Sequence, residues 1–191
     1  MARTRTVSLV SPSGRLEAKD WIEAALRILA EQGVDGVRVE PLAKNLGVTK
    51  GSFYWHFKDR DALLERLLDQ WRRHATLDII ERLERSADAV ARLKHLLRLP
   101  FHGEKSDRGA EVELSIRLWG RRDPAARAAL QEVDKLRLKY IQNLLEEIGI
   151  KRSEAIPRAI YAYSFIRVAG TLIDHSNESL INSCIASIIK R

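Results

Sequence analysis

Apolar residues recur every three to four positions along almost the whole chain, and the strict alternation typical of strands is nearly absent. A repeat of this length is that of an amphipathic α-helix. Glycine and proline are few, at 10 and 5 of 191 residues, so the pattern is interrupted only by short polar segments. The pattern therefore predicts an all-α fold of about nine helices.

The polar interruptions predict where each helix begins and ends. The expected helices cover residues 15–32, 39–46, 50–56, 60–85, 87–102, 107–120, 123–148, 153–175 and 178–190. Residues 1–14 contain a Ser-Pro-Ser-Gly run and are expected to form a disordered N-terminal arm. No glycine or proline lies between Leu63 and Leu83, so we expect one stiff helix from about 60 to 85.

Four aromatic residues lie in or directly after the third predicted helix, within the segment GVTKGSFYWHFKDR. With Thr49 as the N-cap, its hydroxyl can accept a hydrogen bond from a first-turn N–H. At about 100° per residue, Phe53 and Phe57 fall on one side of this helix. Trp55 then lies on the opposite side and Tyr54 on a flank. We therefore expect two buried aromatics and two exposed ones.

A short helix, a Gly-Val-Thr turn and a second short helix have the spacing of a helix-turn-helix unit. The second helix of such a unit enters the major groove of DNA. The small Gly51 and Ser52 would let its backbone come close to the bases. Phosphates could accept hydrogen bonds from four further residues: Tyr54, His56, Lys58 and Arg60. Simple packing of a helical hairpin is the alternative, and the turn spacing favours DNA.

Charge and composition are consistent with an acidic partner. There are 33 Lys and Arg against 26 Asp and Glu, a net charge of +7. Residues 1–60 hold 10 basic and 7 acidic residues, or +3, so a DNA site depends on local arrangement rather than on a basic tail. Cys184 is the single cysteine, which excludes an intrachain disulfide and fits a reducing cytoplasm. We expect a soluble cytoplasmic protein without a membrane partner.

Motifs for catalysis or for metal or phosphate binding are absent from the sequence. The sequence has no HExxH, no GxSxG and no glycine-rich phosphate loop, so we expect no catalytic residues, no metal and no cofactor. Neighbouring carboxylates such as Glu111 and Glu113 are interpreted as solvated charge. Aromatic and cationic residues near apolar runs are the candidates for a ligand pocket, with surface ion pairs as the alternative for the cations: Trp71, Phe101, His102, Arg117, Trp119, Tyr163 and Arg167.

The last two predicted helices carry more apolar surface than a solvated helix needs. Residues 159–173 include the small Ala159, Ala162, Gly170 and Thr171, and residues 179–191 keep leucine and isoleucine near one side. Two such helices from each subunit could form a four-helix homodimer interface. Packing within the monomer is the alternative.

Residues 25–68 resemble the DNA-binding domain of the TetR (tetracycline-repressor-like) family, and the likeness extends over about 15–68. The matching residues are Ala25, Gly33, Leu42, Ala43, Gly47, Val48, Thr49, Gly51, Tyr54, His56, Phe57, Leu63 and Leu64. The resemblance implies a nine-helix chain, with DNA bound by residues 15–60 and with ligand binding and dimerisation in 61–191. The positions that match DNA-contacting ones are Thr49, Lys50, Gly51, Ser52, Tyr54, Trp55, His56 and Arg60.

The segment departs from the family pattern at the start of its second helix. Arg38 stands where the family often has Ser or Thr, and Glu40 stands where it often has a basic or polar base-reader. Glu40 could accept from a cytosine amino group or point away from the DNA.

Together these features predict a transcriptional regulator, a repressor that binds an inverted-repeat operator and is released by a small molecule. The ligand would bind between helices 4 and 8 and shift helix 4. A ligand-independent DNA-binding protein and an all-α enzyme with an incidental helix-turn-helix are the alternatives.

Overall fold

A computed structural model describes residues 16–86, 88–101 and 104–190, with the backbone only for 104–107. Within these ranges the chain forms α-helices and two short 3₁₀ turns, and no residue lies in a strand. The all-α prediction is therefore confirmed. The predicted arm 1–14 and His102 lie outside the described residues.

Ten α-helices follow one another in the described part of the chain. They are α1 (Ala18–Gln32), α2 (Val39–Asn45), α3 (Lys50–Tyr54), α4 (Arg60–Ala75), α5 (Leu77–Leu83), α6 (Ala89–Arg98), α7 (Glu104–Trp119), α8 (Pro124–Glu147), α9 (Arg152–Leu172) and α10 (Glu178–Ile189). The chain divides into two compact units after Gln70. Sequence analysis sets this boundary after residue 60, at the start of α4, and the first part of α4 belongs to the first unit.

The first unit is built around the apolar stripe of α1. Trp21, Ala25 and Leu29 are fully buried on this helix, and Phe53 of α3 is buried with them. The rings of Trp21 and Phe53 meet edge to face with their centroids 5.3 Å apart. Such aromatic pairs add to the stabilisation from burial alone. The stripe thus holds α3 against α1.

The turn between α2 and α3 depends on Gly47. Its φ of 69° lies in the left-handed region, which glycine adopts without steric cost. The N–H of Gly47 donates to the carbonyl of Lys44, and the N–H of Val48 donates to the carbonyl of Ala43. These two bonds form a Schellman motif, which ends α2 and turns the chain into α3.

The prediction of one helix from 60 to 85 is wrong, because the chain breaks at Thr76. Thr76 has φ −128° and ψ −77°, outside the helical region. In an unbroken helix the carbonyl of Ala75 would accept from the N–H of Ile79. Instead, it accepts from the Nε of Arg137 at 2.9 Å, and the N–H of Ile79 donates to the carbonyl of Thr76. A side chain 62 residues away therefore takes the place of a helical hydrogen bond.

The second unit has its core among α6, α8, α9 and α10. Leu93, Ile141, Ala162 and Ile181 are each fully buried there or nearly so. The N-terminus of α8 is capped by Asp123, whose side chain accepts from the N–H of Ala126, and proline follows as the first helical residue. None of the described helices combines the length and the apolar composition that a membrane-spanning segment needs.

Candidate nucleic-acid interface

The faces of α3 agree with those expected from the sequence. Phe53 and Phe57 are buried, with ring centroids 5.3 Å apart. Tyr54 is 60% exposed and Trp55 is 81% exposed. Two adjacent aromatic side chains thus stand in solvent at the end of a short helix, held in place by two others in the core. A tyrosine hydroxyl and a large apolar ring at such a site are suited to contact a partner.

Gly51 lies in the first turn of α3, next to this aromatic pair. A Cβ built at this position would meet only the Thr49 Oγ1, at 3.6 Å, which is an ordinary contact. Its backbone does not have a positive φ. Neither backbone conformation nor internal packing therefore requires glycine here. The missing side chain instead leaves the backbone of α3 open to close approach from outside.

Thr49 is the N-cap residue of α3, as expected, with φ −80° and ψ 157°. Its side chain, however, makes no capping hydrogen bond, which corrects the expected role of the hydroxyl. The backbone carbonyl of Thr49 accepts from the N–H of Ser52 at 3.1 Å. Thr49 is exposed and Ser52 half-buried, so both remain at the surface of the unit.

The basic residues around α3 differ in their surroundings. Lys50 forms an ion pair with Glu40 of α2, and both side chains are more than half exposed. The hydrogen bond from Lys50, with help from its charge, lowers the pKa of the Glu40 carboxyl. Lys58 is exposed, whereas His56 is half-buried beside the ring of Phe57. Lys58 is therefore the more accessible of these last two groups.

Arg60 has a structural task within the first unit. Its Nε donates to the carbonyl of Val37 and its Nη2 donates to the carbonyl of Val34, each at 2.6 Å. These bonds hold the start of α4 to the connection between α1 and α2. The Asp59 side chain accepts from the N–H of Ala62 at 2.8 Å and thereby caps α4. The predicted contact of Arg60 with phosphate stays a prediction, and the structure adds this anchoring role to it.

Three of the predicted pocket residues, Arg117, Tyr163 and Arg167, come together in the second unit. They meet two carboxylates: Glu113, which sequence analysis interprets as solvated charge, and Asp134, which sequence analysis missed. Arg117 bonds both carboxylates, with its Nη2 2.7 Å from Asp134 and 2.8 Å from Glu113. Tyr163 donates to Asp134 at 2.6 Å, and Arg167 donates to Glu113 at 2.5 Å. Each of these charged groups therefore has a partner of opposite charge within the protein.

Glu113 is buried, so its interpretation as solvated charge is wrong. Burial raises the pKa of this carboxyl. The charges of Arg137 and Arg167 lower it by a larger amount, so the net pKa is below its usual value. Arg137, which also binds the carbonyl of Ala75, lies 2.7 Å from Glu113. The spacing of Glu113 and Arg117 by four positions was the one local signal for this cluster. The remaining contacts join different helices.

Three further predicted pocket residues, Trp71, Phe101 and Trp119, lie within the described part of the chain. Trp71 and Trp119 are buried, and Phe101 packs against the rings of Phe165 and His175. A groove of about 540 Å³ lies between α8 and α9 of the second unit. It is lined by residues outside the predicted set: Gln131, Asp134, Lys135, Leu138, Lys139, Gln142, Ile156, Ala159 and Ile160.

Comparison with known proteins identifies the class of the first unit. The family model for bacterial regulatory proteins of the tetR family matches residues 22–67. The class D tetracycline repressor protein of Escherichia coli is 43% identical over 53 residues, which are 28% of this chain and 24% of that protein. Residues 22–67 are thus a tetR-family DNA-binding segment, and the comparisons support a TetR-family regulator. The matches to such curated relatives span only about a quarter to a third of those proteins.

Solved structures extend the likeness to the fold of nearly the whole chain. A TetR-family regulator from Streptomyces coelicolor superposes with a TM-score of 0.74 at 20% identity, covering 92% of this chain and 89% of that one. A regulator from Saccharomonospora viridis, solved in complex with choline, gives a TM-score of 0.71 at 19% identity, covering 90% and 92%. At this level of identity the likeness concerns the fold alone.

Proposed function

We propose that this protein is a dimeric transcriptional repressor that binds an inverted-repeat DNA operator and releases it when a small molecule binds. The observation that carries the proposal is the exposed Tyr54–Trp55 pair beside Gly51, on the second helix of a helix-turn-helix unit that belongs to a DNA-binding family. Its activity is binding rather than catalysis, and we place it in the cytoplasm with its operator DNA.

On this proposal α3 inserts into the major groove. Gly51 and Ser52 approach the bases, while Thr49, Tyr54, His56 and Lys58 reach sugar and phosphate. Trp55 packs its ring against the sugar-phosphate backbone of the DNA at the edge of the groove. Phosphates dominate the affinity, so binding should weaken steeply with salt.

Dimerisation through α9 and α10 is supported by a row of exposed apolar side chains. Tyr161, Val168 and Leu172 follow one another at spacings of seven and four along α9, and all three are exposed. Leu180 of α10 is exposed as well. The small residues Ala159 and Ala162, expected in this interface, are buried inside the monomer. The proposed interface therefore consists of the large exposed residues, with Thr171 beside Leu172, and excludes Ala159 and Ala162.

The proposed ligand site lies in the second unit. The cluster of arginines around Glu113 and Asp134 supports this site. Its Arg137 donates both to the hydroxyl of Tyr163 on α9 and to the carbonyl of Ala75 at the end of α4. A ligand that engaged Arg137 would disturb the break at Thr76. The proposed transmission element is thus the hinge between α4 and α5 rather than one stiff helix. A coupling of about 1–3 kcal/mol would change operator affinity by about 5- to 150-fold.

The test is binding of the purified protein to the DNA upstream of its own gene. We expect one inverted repeat to bind far more tightly than scrambled duplexes of equal length, with fluorescence anisotropy as the measurement. A thermal-shift screen of metabolites, followed by release of that duplex, tests the ligand. Equal affinity for every duplex would contradict the regulator, and a tight ligand that leaves operator affinity unchanged would contradict the release mechanism.

A further inference from the structure

The ion pair between Glu40 and Lys50 joins the two helices of the helix-turn-helix unit at its exposed side. Glu40 lies in the first turn of α2, and Lys50 is the first residue of α3, directly before Gly51. The side chains are 60% and 55% exposed, respectively. A carboxylate and an ammonium group are thus presented to solvent as one unit beside the part of α3 that is open to close approach.

Neither the ion pair nor general DNA affinity requires a carboxylate here, and the first turn of α2, which favours an acidic residue, adds only a small stabilisation. An exposed ion pair contributes little to folding, because water solvates both charges well. A negative charge on a surface that approaches phosphates also opposes binding, and it occupies a lysine that could otherwise neutralise a phosphate. What a carboxylate offers at such a surface is a hydrogen-bond acceptor that no other charged side chain supplies.

We propose that Glu40 and Lys50 together read one G·C base pair in each half of the operator, an inference that rests on the proposed function. In the major groove, guanine presents the acceptors O6 and N7, and the paired cytosine presents its N4 amino donor next to O6. The ammonium of Lys50 donates to guanine, and the carboxylate of Glu40 accepts from cytosine. Adjacent opposite charges on the protein match adjacent opposite groups on one base pair.

The other base pairs do not match this arrangement. In an A·T pair, the adenine amino donor takes the place of guanine O6 and would face Lys50. The thymine O4 acceptor takes the place of the cytosine amino group and would face Glu40. Lys50 would then keep only the purine N7 as an acceptor, whereas Glu40 would lose its partner and lie against an oxygen. Discrimination therefore comes mainly from Glu40, while Lys50 supplies affinity.

The experiment is selection from a pool of inverted-repeat duplexes with randomised positions, for the wild type, Glu40→Ala and Lys50→Ala. For the wild type we expect one position in each half-site to favour G·C over A·T by about tenfold or more. Lys50→Ala should lose affinity but keep part of this preference, because Glu40 still accepts from cytosine. Glu40→Ala should reduce the preference to about threefold or less and bind all other duplexes more tightly. Its salt dependence should steepen by about one phosphate contact per half-site, because Lys50 is set free.

The matched control is Glu31→Ala, which removes one exposed carboxylate from α1 of the same unit. It should keep the base preference of the wild type, and thermal melts should stay unchanged for all three variants. If the wild type prefers no inverted repeat, the proposed function itself fails. If the wild type selects a repeat and Glu40→Ala keeps every base preference, or changes binding only as much as Glu31→Ala does, the paired reader is overturned.

Discussion

Replacement of Gly51 by alanine should make the protein more stable and a weaker DNA binder. Glycine within a helix costs about 0.5–1 kcal/mol relative to alanine, because it loses more backbone entropy on folding. The added Cβ would meet only the Thr49 Oγ1 at 3.6 Å, so no steric cost offsets this gain. At about 2–4 °C per kcal/mol, the melting temperature should rise by about 1–4 °C. On DNA, the same methyl would hold α3 away from the groove.

We expect the operator affinity of Gly51→Ala to fall about tenfold or more, equivalent to about 1.4 kcal/mol. Circular dichroism melts and fluorescence anisotropy measure the two effects on the same sample. Gly109→Ala is the matched control, because Gly109 is exposed within α7 and has no atom near a built Cβ. It should gain stability without any change in DNA binding. Unchanged operator affinity in Gly51→Ala would refute the close approach of α3 to DNA.

Three further predictions test other parts of the structure. Tyr54→Phe should fold normally and bind DNA less tightly. Phe57→Ala should lose about 3–5 kcal/mol of stability, because it leaves a cavity at a buried position. Equal losses of melting temperature in the two variants would mean that the buried and exposed aromatics are assigned wrongly. Glu113→Gln should destabilise the second unit by about 3–5 kcal/mol at pH 7, since it leaves buried guanidinium groups such as Arg137 without their charge partner. Because the pKa of this carboxyl is lowered, wild-type stability should be retained above about pH 4.5 and fall as the pH drops below it. Urea titrations of Glu113→Gln should show a weaker dependence of stability on pH over this range. Leu172→Asp should raise the dimer dissociation constant about 100-fold or more, because the two-fold axis repeats the lost contact, and light scattering that still finds a stable dimer would place the interface elsewhere.

Sequence alone sufficed where the cause of a structure lies within a few residues. The 3.6-residue period places Phe53 and Phe57 on one side of the predicted helix 50–56, and both are buried, although α3 itself ends at Tyr54. Gly47 marks the end of α2, since the left-handed turn there needs a residue without a Cβ. The helix-turn-helix unit and its exposed aromatics are therefore readable from local pattern.

The tertiary structure decided the features whose partners are distant in the sequence. The break at Thr76 carries no glycine or proline, because the hydrogen bond that replaces a helical one comes from Arg137 on another helix. The sequence predicts only a phosphate contact for Arg60, and the structure shows that it also bonds to the carbonyls of Val34 and Val37. Glu113 reads as surface charge until three arginines from three helices surround it. Periodicity reports which side of a helix is buried, but only the packing of helices determines which charged group of one meets that of another.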